Sequence, residues 1–332
     1  MKVVGFKEYG PPEVLRIAEV LEPTAGPDHV LIRVHAGSIN AQDYRTRSGR
    51  PFLLRFLLGG VRRPKNRRIG SDLAGTVVAV GENVKQFRPG DEVFGCRGGA
   101  FAEYLRAFES VLALKPANVS FEQAAAVPVA ALTALQAIRH GGGIEPGQQV
   151  LIQGASGGVG TFAVQLAKSF GAEVTAVCST RNLELARSIG ADHVIDYARL
   201  DFTRQPQRYD LIVAVNGYHP LLAYRRALSR NGRYVCAGGA LLQFVQAMAL
   251  GSLLSRANGK RMFSMGIADV KQEDLVFLAE LLELGKITPV IDRSYPLSEI
   301  VEAFRYVEDT HAQGKVVITL ERRDPADPSR RS

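Results

Sequence analysis

The chain has 332 residues, of which 46% are hydrophobic and 22% charged, and it carries a formal net charge of +8. This length predicts about two domains rather than one core. No apolar run reaches the roughly 18 residues that a membrane-spanning helix needs, which excludes a transmembrane protein, and residues 1–6 predict a strand rather than a signal peptide.

The excess of basic residues lies mainly in two segments, 62–68 and the tail 322–331. A nucleic-acid-binding surface interleaves basic residues with exposed aromatics, and the chain contains no tryptophan. We therefore predict solvated basic loops and no nucleic-acid partner, although a positive chain also suits an anionic ligand. The tail from Arg322 is predicted to be disordered.

Three cysteines, Cys96, Cys178 and Cys236, are widely spaced and odd in number. Their spacing gives neither a disulfide framework nor a set of metal ligands. We therefore expect a reducing compartment and a cytoplasmic protein.

The first third of the chain is predicted to be a β-rich domain. Short β-branched segments bounded by glycine or proline are typical of strands. Such segments cover residues 30–34, 75–80, 92–94 and 111–114.

From about Phe121 helices and strands alternate along the chain. Helices are predicted over 122–138, 158–170, 182–189 and 221–228, and strands over 150–152, 173–178, 193–195, 211–215 and 233–236. This alternation predicts parallel βαβ units and an α/β fold. Asn231-Gly232 is predicted to end a helix. The last elements are predicted as helices 273–284 and 297–308, a strand near Val290 and a strand over 315–320.

A glycine-rich loop links a predicted strand to a predicted helix. Its residues are Gln153, Gly154, Ala155, Ser156, Gly157, Gly158, Val159 and Gly160. In this context glycines let backbone N–H groups approach a pyrophosphate and let the helix pack close to the strand, while the helix N-terminus favours the negative charge. The loop predicts dinucleotide binding, although Ala155 replaces the first glycine of the G-x-G-x-x-G pattern. The alternative is a glycine-rich turn with no ligand.

The end of the following strand distinguishes between the two nicotinamide cofactors. An NAD site places an acidic residue there to bind the ribose 2′-hydroxyl, whereas this chain has Ser179, Thr180 and Arg181. The hydroxyls can donate hydrogen bonds, and an arginine can hold a 2′-phosphate. We therefore predict NADPH. The alternative is that a hydroxyl caps a helix and the arginine is solvated.

Other motifs occur in a fixed order around this loop: 38–44, 70–77, 87–93, 130–134 and 314–318. Together they resemble the medium-chain dehydrogenase/reductase superfamily and, within it, the zinc-free quinone oxidoreductase-like branch. The resemblance implies a GroES-like β-rich substrate domain built from residues 1–120 and 262–332. It also implies a Rossmann domain of residues 121–261 with a doubly wound parallel sheet, a cofactor cleft between the domains, and a homodimer.

The resemblance also implies what the site holds. Zinc alcohol dehydrogenases carry a cysteine where this chain has Asn40, and a His-Glu pair where it has Ser71 and Asp72. Amide and hydroxyl groups are poor zinc ligands, so no metal is expected. Asn40, Asp43 and Tyr44 are expected near the nicotinamide and substrate, with Tyr44 as the nearest candidate acid; alternatively they hold a turn or pack.

Further cofactor contacts are implied around the cleft. They are Thr133, Tyr197, Asn216, Gly217, Gly238, Gly239 and Lys315. Tyr197 could equally be a surface aromatic, and Lys315 could only cap a strand.

The expected substrate is a small apolar carbonyl compound or a quinone. Without a metal, reduction of an isolated ketone is harder than that of an enone or quinone, because these spread the negative charge of the product anion. We expect hydride transfer from NADPH to such a substrate. The alternatives are a zinc-free alcohol dehydrogenase or carbonyl reductase, and an NADPH-binding scaffold with little turnover. Arg50-Pro51 stands where thioester-reducing relatives have Tyr-Pro, which disfavours a thioester substrate.

Two apolar segments, 51–58 and 240–254, have three interpretations. They pack at the domain seam, form a lid over an apolar substrate, or touch a membrane surface beside the basic segment 62–68. Packing and a lid are favoured over membrane contact.

Overall fold

The computed structural model describes residues 1–52, 55, 60–65, 67–239, 243, 245–248, 251, 255, 259–309 and 312–320. Among these residues the strands are β1 (Lys2–Gly5), β2 (Arg16–Glu19), β3 (Val30–Ser38), β4 (Asp72–Val80), β5 (Glu92–Cys96), β6 (Tyr104–Ala107), β7 (Leu112–Leu114), β8 (Gln149–Gln153), β9 (Glu173–Cys178), β10 (His193–Asp196), β11 (Tyr209–Ala214), β12 (Leu228–Cys236), β13 (Arg261–Ser264), β14 (Ile291–Pro296) and β15 (Lys315–Thr319). The α-helices are α1 (Ala41–Ser48), α2 (Phe121–Ala125), α3 (Pro128–Arg139), α4 (Gly158–Ser169), α5 (Leu183–Ser188), α6 (Leu221–Ala227), α7 (Gln272–Glu283) and α8 (Ile300–Asp309). Short 3₁₀ turns include Thr180–Asn182 and Leu297–Glu299.

Six strands form a parallel sheet in the order β10-β9-β8-β11-β12-β13. The chain builds outward from β8 in one direction and then, from β11, in the other. The carboxyl ends of β8 and β11 therefore lie at the point where a doubly wound sheet binds its ligand. This confirms the predicted parallel βαβ architecture.

A second, mixed sheet has the order β14-β15-β3-β4-β5-β7, with β6 paired to β3. β15 pairs antiparallel with β3, so strands from the two ends of the described chain share one sheet. Its core holds buried aliphatic and aromatic side chains such as Val34, Leu73, Phe101 and Phe304.

The single helix predicted over 122–138 is wrong, because the structure has two helices there. Ser120 and Gln123 form a reciprocal cap at the start of α2: the Gln123 N–H donates to Ser120 Oγ, and the Ser120 N–H donates to Gln123 Oε1. Pro128 then starts α3, at a position where its missing N–H costs nothing. The proline therefore marks a helix start within the predicted helix.

The prediction that Asn231-Gly232 ends a helix is also wrong. α6 ends at Ala227, and Asn231 lies within the span of β12. Asn231 does adopt the left-handed conformation, with φ of 64°, so the dipeptide does mark a turn. That turn falls in an extended segment because the backbone has already become extended at Leu228.

The predicted domain boundary at residue 262 lies within the parallel sheet. β13 pairs in parallel with β12, so a boundary before residue 262 falls inside a strand of the parallel sheet, which extends to Ser264. The division into two domains remains a prediction at this level of detail.

Most of the apolar segments 51–58 and 240–254, and the tail from residue 322, lie outside the described residues. Within the described ranges, none of the helices combines the length and the apolar composition needed to cross a bilayer.

Candidate active site

The glycine loop connects β8 to α4, as the sequence predicts. Gly154 has φ of 83°, a left-handed conformation that favours glycine. The N–H groups of Gly154 and Ala155 donate to the Val177 carbonyl at 3.0 and 3.1 Å. A Cβ at Gly160 would lie 2.1 Å from the Gly154 carbonyl oxygen, so glycine there lets α4 start against the loop.

The first turn of α4 fits a bound anion. The N–H groups of Val159 and Gly160 have no acceptor among the residues that the structure describes. At Gly157, which precedes the helix, a Cβ would meet nothing closer than the Gly154 carbonyl oxygen at 3.9 Å. Unpaired N–H groups at the positive end of a 12-residue helix fit the pyrophosphate of a dinucleotide.

The residues after β9 lie beside a carboxylate that the sequence analysis missed. Thr180 Oγ1 donates to Asp196 Oδ2 at 2.6 Å, and the Ala198 N–H donates to Asp196 Oδ1 at 3.0 Å. These bonds, the one from Thr180 first, hold the pKa of Asp196 below its usual value. Asp196 is the last residue of the next strand, β10, which pairs with β9. An acidic residue at that strand end was the sequence signal that could have identified it. Arg181 is exposed at this edge.

Asn182 and Gln313 also belong to this site and were missed. Asn182 is buried, and its Nδ2 donates to Ser156 Oγ at 2.8 Å and to Ser179 Oγ at 3.1 Å. Its Oδ1 accepts a bond from Gln313 Nε2 at 2.7 Å. The Gly314 N–H donates to the Ser156 carbonyl at 2.8 Å. The segment entering β15 therefore holds the glycine loop from the side of the mixed sheet.

The residues that follow β11 and β12 pack beside the glycine loop at the same edge of the parallel sheet. A Cβ at Gly154 would lie 2.8 Å from Asn216 Cβ, and one at Gly239 would lie 3.2 Å from the Gly217 carbonyl oxygen. A Cβ at Gly238 would lie 2.5 Å from the carbonyl oxygen of Val215, the residue that directly follows β11. The structure thus brings the predicted strand-end residues together around the loop.

Three other residues, Arg45, Thr133 and Tyr197, lie on or beside elements outside the glycine loop. Arg45, on α1, reaches across to donate to the Gly239 carbonyl at 3.4 Å, which brings α1 to this edge. The Thr133 hydroxyl donates to the Val129 carbonyl at 2.7 Å within α3. Tyr197 follows β10, and its side chain is 61% exposed, which leaves its ring accessible to a ligand.

A polar network, here called the seam network, lies where the two sheets meet. Its members are Ser38, Asn40, Asp43, Ser71, Asp72 and Lys315. Asp72 is fully buried; its Oδ2 accepts bonds from Ser38 Oγ at 2.6 Å and Asn40 Nδ2 at 2.8 Å and lies 3.3 Å from Lys315 Nζ. Its Oδ1 accepts the Val129 N–H at 2.8 Å, which ties the network to α3.

Lys315 and Asn40 are joined inside this network. Lys315 Nζ donates to Asn40 Oδ1 at 2.5 Å, so both ends of the Asn40 amide are held by protein groups. The aliphatic part of Lys315 lies against the glycine loop, since a Cβ at Gly158 would be 2.8 Å from Lys315 Cδ. Lys315 therefore touches the loop through its methylene groups while its charge faces Asp72.

Asp43 sits at the start of α1 on the edge of the network. Its Oδ2 accepts the Asn40 N–H at 2.8 Å, and its Oδ1 accepts the Ser71 hydroxyl at 3.2 Å. Burial, reinforced by the charge of Asp72, raises the pKa of Asp43 to about 7 despite these bonds and Lys315. Tyr44, the next residue, is partly buried and packs against the core of the mixed sheet.

The donor set at this seam does not fit a zinc ion. The carboxylate of Asp72 is occupied by Ser38, Asn40 and Lys315, and the lysine ammonium already supplies a cation beside it. In the part of the chain that the structure describes, no three His, Cys, Asp or Glu side chains are grouped as metal ligands would be.

Comparison with known proteins identifies two family models in this chain. The alcohol dehydrogenase GroES-like domain matches residues 26–117, and the zinc-binding dehydrogenase family matches residues 189–318. The quinone-oxidoreductase QR1, chloroplastic, of Triphysaria versicolor is 35% identical over 96% of this chain and 98% of its own length. The NADPH-dependent alkenal/one oxidoreductase, chloroplastic, of Arabidopsis thaliana is 33% identical over 96% of this chain and 79% of its own. The quinone oxidoreductase from Coxiella burnetii superposes with a TM-score of 0.85 at 30% identity, covering 97% of this chain and 99% of that one.

Proposed function

The chain belongs to the medium-chain dehydrogenase/reductase superfamily, in its quinone oxidoreductase-like branch, and from this premise we propose that it reduces quinones or α,β-unsaturated carbonyl compounds with NADPH. The observation that carries the proposal is the glycine loop. Its unpaired N–H groups stand at the switch point of a doubly wound sheet, beside a second sheet that supplies polar side chains.

The preference for NADPH over NADH is part of the proposal. Support comes from Arg181, exposed at the end of β9, and from the relative named as NADPH-dependent. The acidic residue beside Thr180 is Asp196, and its carboxylate already accepts bonds from Thr180 and from the Ala198 N–H. It is therefore less available to a ribose hydroxyl than an unpaired acid would be.

The proposed substrate class follows from the groups around the seam. NADPH, when bound, supplies the hydride. The polar groups that this chain offers beside the loop are hydroxyl, amide and carboxyl groups of the seam network. Hydrogen bonds from such groups can stabilise an enolate or a hydroquinone anion, because the charge of these anions is already delocalised. They stabilise the localised charge of an alkoxide less well.

We further propose a cytoplasmic homodimer. All three cysteines are buried and unpaired with one another, which suits a reducing compartment. β13 ends one side of the parallel sheet, and an edge strand offers backbone groups to a second copy. Light scattering that gives the mass of one chain at micromolar concentration would exclude the dimer.

Absorbance at 340 nm tests the activity directly. We expect NADPH oxidation with 1,2-naphthoquinone and with a simple enone, little with a simple ketone, and no change when a chelator is added. Turnover restricted to the ketone would favour an alcohol dehydrogenase or carbonyl reductase. Tight NADPH binding without turnover on any of the three would favour a scaffold, and loss of activity with chelator would overturn the argument against zinc.

A further inference from the structure

Within the seam network, Ser71 is the residue that is only partly buried. Ser71 is partly exposed, whereas Asn40, Asp43, Asp72 and Lys315 are buried. The Ser71 hydroxyl donates to Asp43 Oδ1 at 3.2 Å. A partly exposed residue is therefore hydrogen-bonded to a buried carboxyl group at the seam between the two sheets.

The charges that face Asp43 favour a carboxyl group that keeps its proton. From β4 it faces the carboxylate of Asp72, and from β15 the ammonium of Lys315, which lies 3.3 Å from Asp72 and balances that charge. From β5 the Cys96 thiol donates to Asp72 Oδ1 at 3.6 Å, and burial and Asp72 raise the pKa of that thiol. Among the described residues Asp43 forms no ion pair of its own, and a buried unpaired charge is costly. Burial accordingly raises the pKa of Asp43 to about 7.

We infer that Ser71 is the catalytic proton donor of the proposed reaction and that Asp43 is the group that reprotonates it. The inference rests on the proposed function, because it concerns the second half of that reaction. Ser71 would touch the substrate, and Asp43 acts only through Ser71.

The step balances without any further reagent. Hydride addition at the β-carbon of an enone moves the C=C electron pair toward the carbonyl oxygen and leaves an enolate. When Asp43 is protonated, its O–H donates to Ser71 Oγ, and the Ser71 proton is free to face the substrate. The O–H bond of Ser71 breaks as its proton bonds to the α-carbon of the enolate. The O–H bond of Asp43 breaks as the Asp43 proton moves to Ser71 Oγ and restores the hydroxyl. Water then returns a proton to the Asp43 carboxylate, so the substrate gains one hydride and one proton. For a quinone, the same proton goes to the hydroquinone oxygen.

Kinetics of Ser71→Ala provide the first test. We expect kcat for an enone to fall about 100-fold, the lower range for loss of a general acid, with NADPH affinity unchanged. Ser71→Thr keeps a hydroxyl and should recover most of the activity. In the wild type kcat should decline as pH rises through the apparent pKa of Asp43, because the donor pair needs the protonated form. Asp43→Asn should abolish that decline.

Infrared spectra of the cofactor-free protein provide a readout that does not depend on turnover. The C=O band of a protonated buried carboxyl should disappear as pH rises, and Asp43→Asn should remove it. In Ser71→Ala the midpoint should move to higher pH, because the lost hydroxyl no longer stabilises the carboxylate. Ser188→Ala is the control: its exposed hydroxyl donates to the Leu185 carbonyl within α5 and not to the seam network, so the pH profile should keep its shape.

The two levels of the account fail in different ways. If the wild type oxidises NADPH with enones or quinones and Ser71→Ala keeps its kcat and pH profile, the relay is wrong. If the wild type oxidises NADPH with none of the substrates, the proposed function fails. The infrared titration still decides whether Asp43 holds a proton near neutral pH and is coupled to Ser71, and an unchanged midpoint in Ser71→Ala overturns that coupling.

Discussion

At the residue scale, we expect the side chains that follow β9 to decide which nicotinamide cofactor this chain prefers. Thr180 is engaged with Asp196, and Ser179 accepts a bond from Asn182. Arg181 is exposed at the same edge. We therefore expect selectivity for a 2′-phosphate to depend mainly on the guanidinium group of Arg181, because a guanidinium group can bind phosphate through two parallel hydrogen bonds.

Arg181→Ala should weaken NADPH binding about tenfold, equivalent to about 1.4 kcal/mol, and should leave NADH binding nearly unchanged. The effect is expected to be modest because the site is exposed and solvent screens the charge. Equilibrium titration of both nucleotides measures it. Arg187→Ala, which removes an exposed arginine paired with Glu184 on α5, is the control. An equal loss for the two nucleotides, or no loss for NADPH, would contradict the assignment.

Single residues also show the limit of sequence analysis. The types and positions of Asn40, Asp43 and the loop glycines could be read from motifs that are continuous in sequence. The pairing of Lys315 with Asp72 could not, because the two residues are 243 positions apart and meet only when β15 joins the mixed sheet. Asp196 and Asn182 were missed for the same reason, since their role depends on neighbouring strands and on Gln313.

At the scale of elements, the unit formed by β8, the glycine loop and α4 carries the function. Its glycines do two different jobs. Gly160 has no room for a Cβ because the Gly154 oxygen would lie 2.1 Å away, whereas a Cβ at Gly157 would meet nothing closer than 3.9 Å. Packing thus requires a glycine at Gly160, whereas we propose that Gly157 is a glycine to leave room for the cofactor.

We expect Gly160→Ala to lower the free energy of unfolding by about 1–3 kcal/mol, the usual cost of overpacking, and to weaken NADPH binding with it. Gly157→Ala should keep the stability of the wild type and lose NADPH affinity alone, because its methyl group would face the bound anion. Chemical denaturation and nucleotide titration separate the two effects. Gly266→Ala, at a site with no neighbour within 4 Å, should change neither. Equal behaviour of the two loop variants would refute this division of roles.

Elements with strong local signals could be predicted closely. β9 has the predicted bounds, and α4 differs from prediction by one residue. Two predictions were wrong because the same residue type occurs in two kinds of structure. They concern the single helix predicted where α2 and α3 lie, and the helix end predicted at Asn231. Proline both breaks a helix and begins one, and a left-handed Asn-Gly pair occurs in helix ends and in turns alike.

At the scale of the whole molecule, the site exists only where the two sheets meet. The glycine loop follows a strand of the parallel sheet, and Asn40, Asp43, Ser71 and Asp72 lie on or beside elements of the mixed sheet. The segment that enters β15 connects the two sets of residues. Gln313 bonds to Asn182, the Gly314 N–H bonds to the loop backbone, and Lys315 pairs with Asp72. The fold class could be predicted from the alternation of elements, but this junction required the three-dimensional pairing of the first and last strands.

The central claim is that this junction binds a reduced nicotinamide dinucleotide on the N-terminus of α4. Equilibrium titration of the purified wild-type chain with NADPH and NADH, followed by calorimetry, measures it most directly. We expect saturable binding of one NADPH per chain, with a Kd at least tenfold lower than that for NADH. Failure of the folded chain to bind either nucleotide would contradict it.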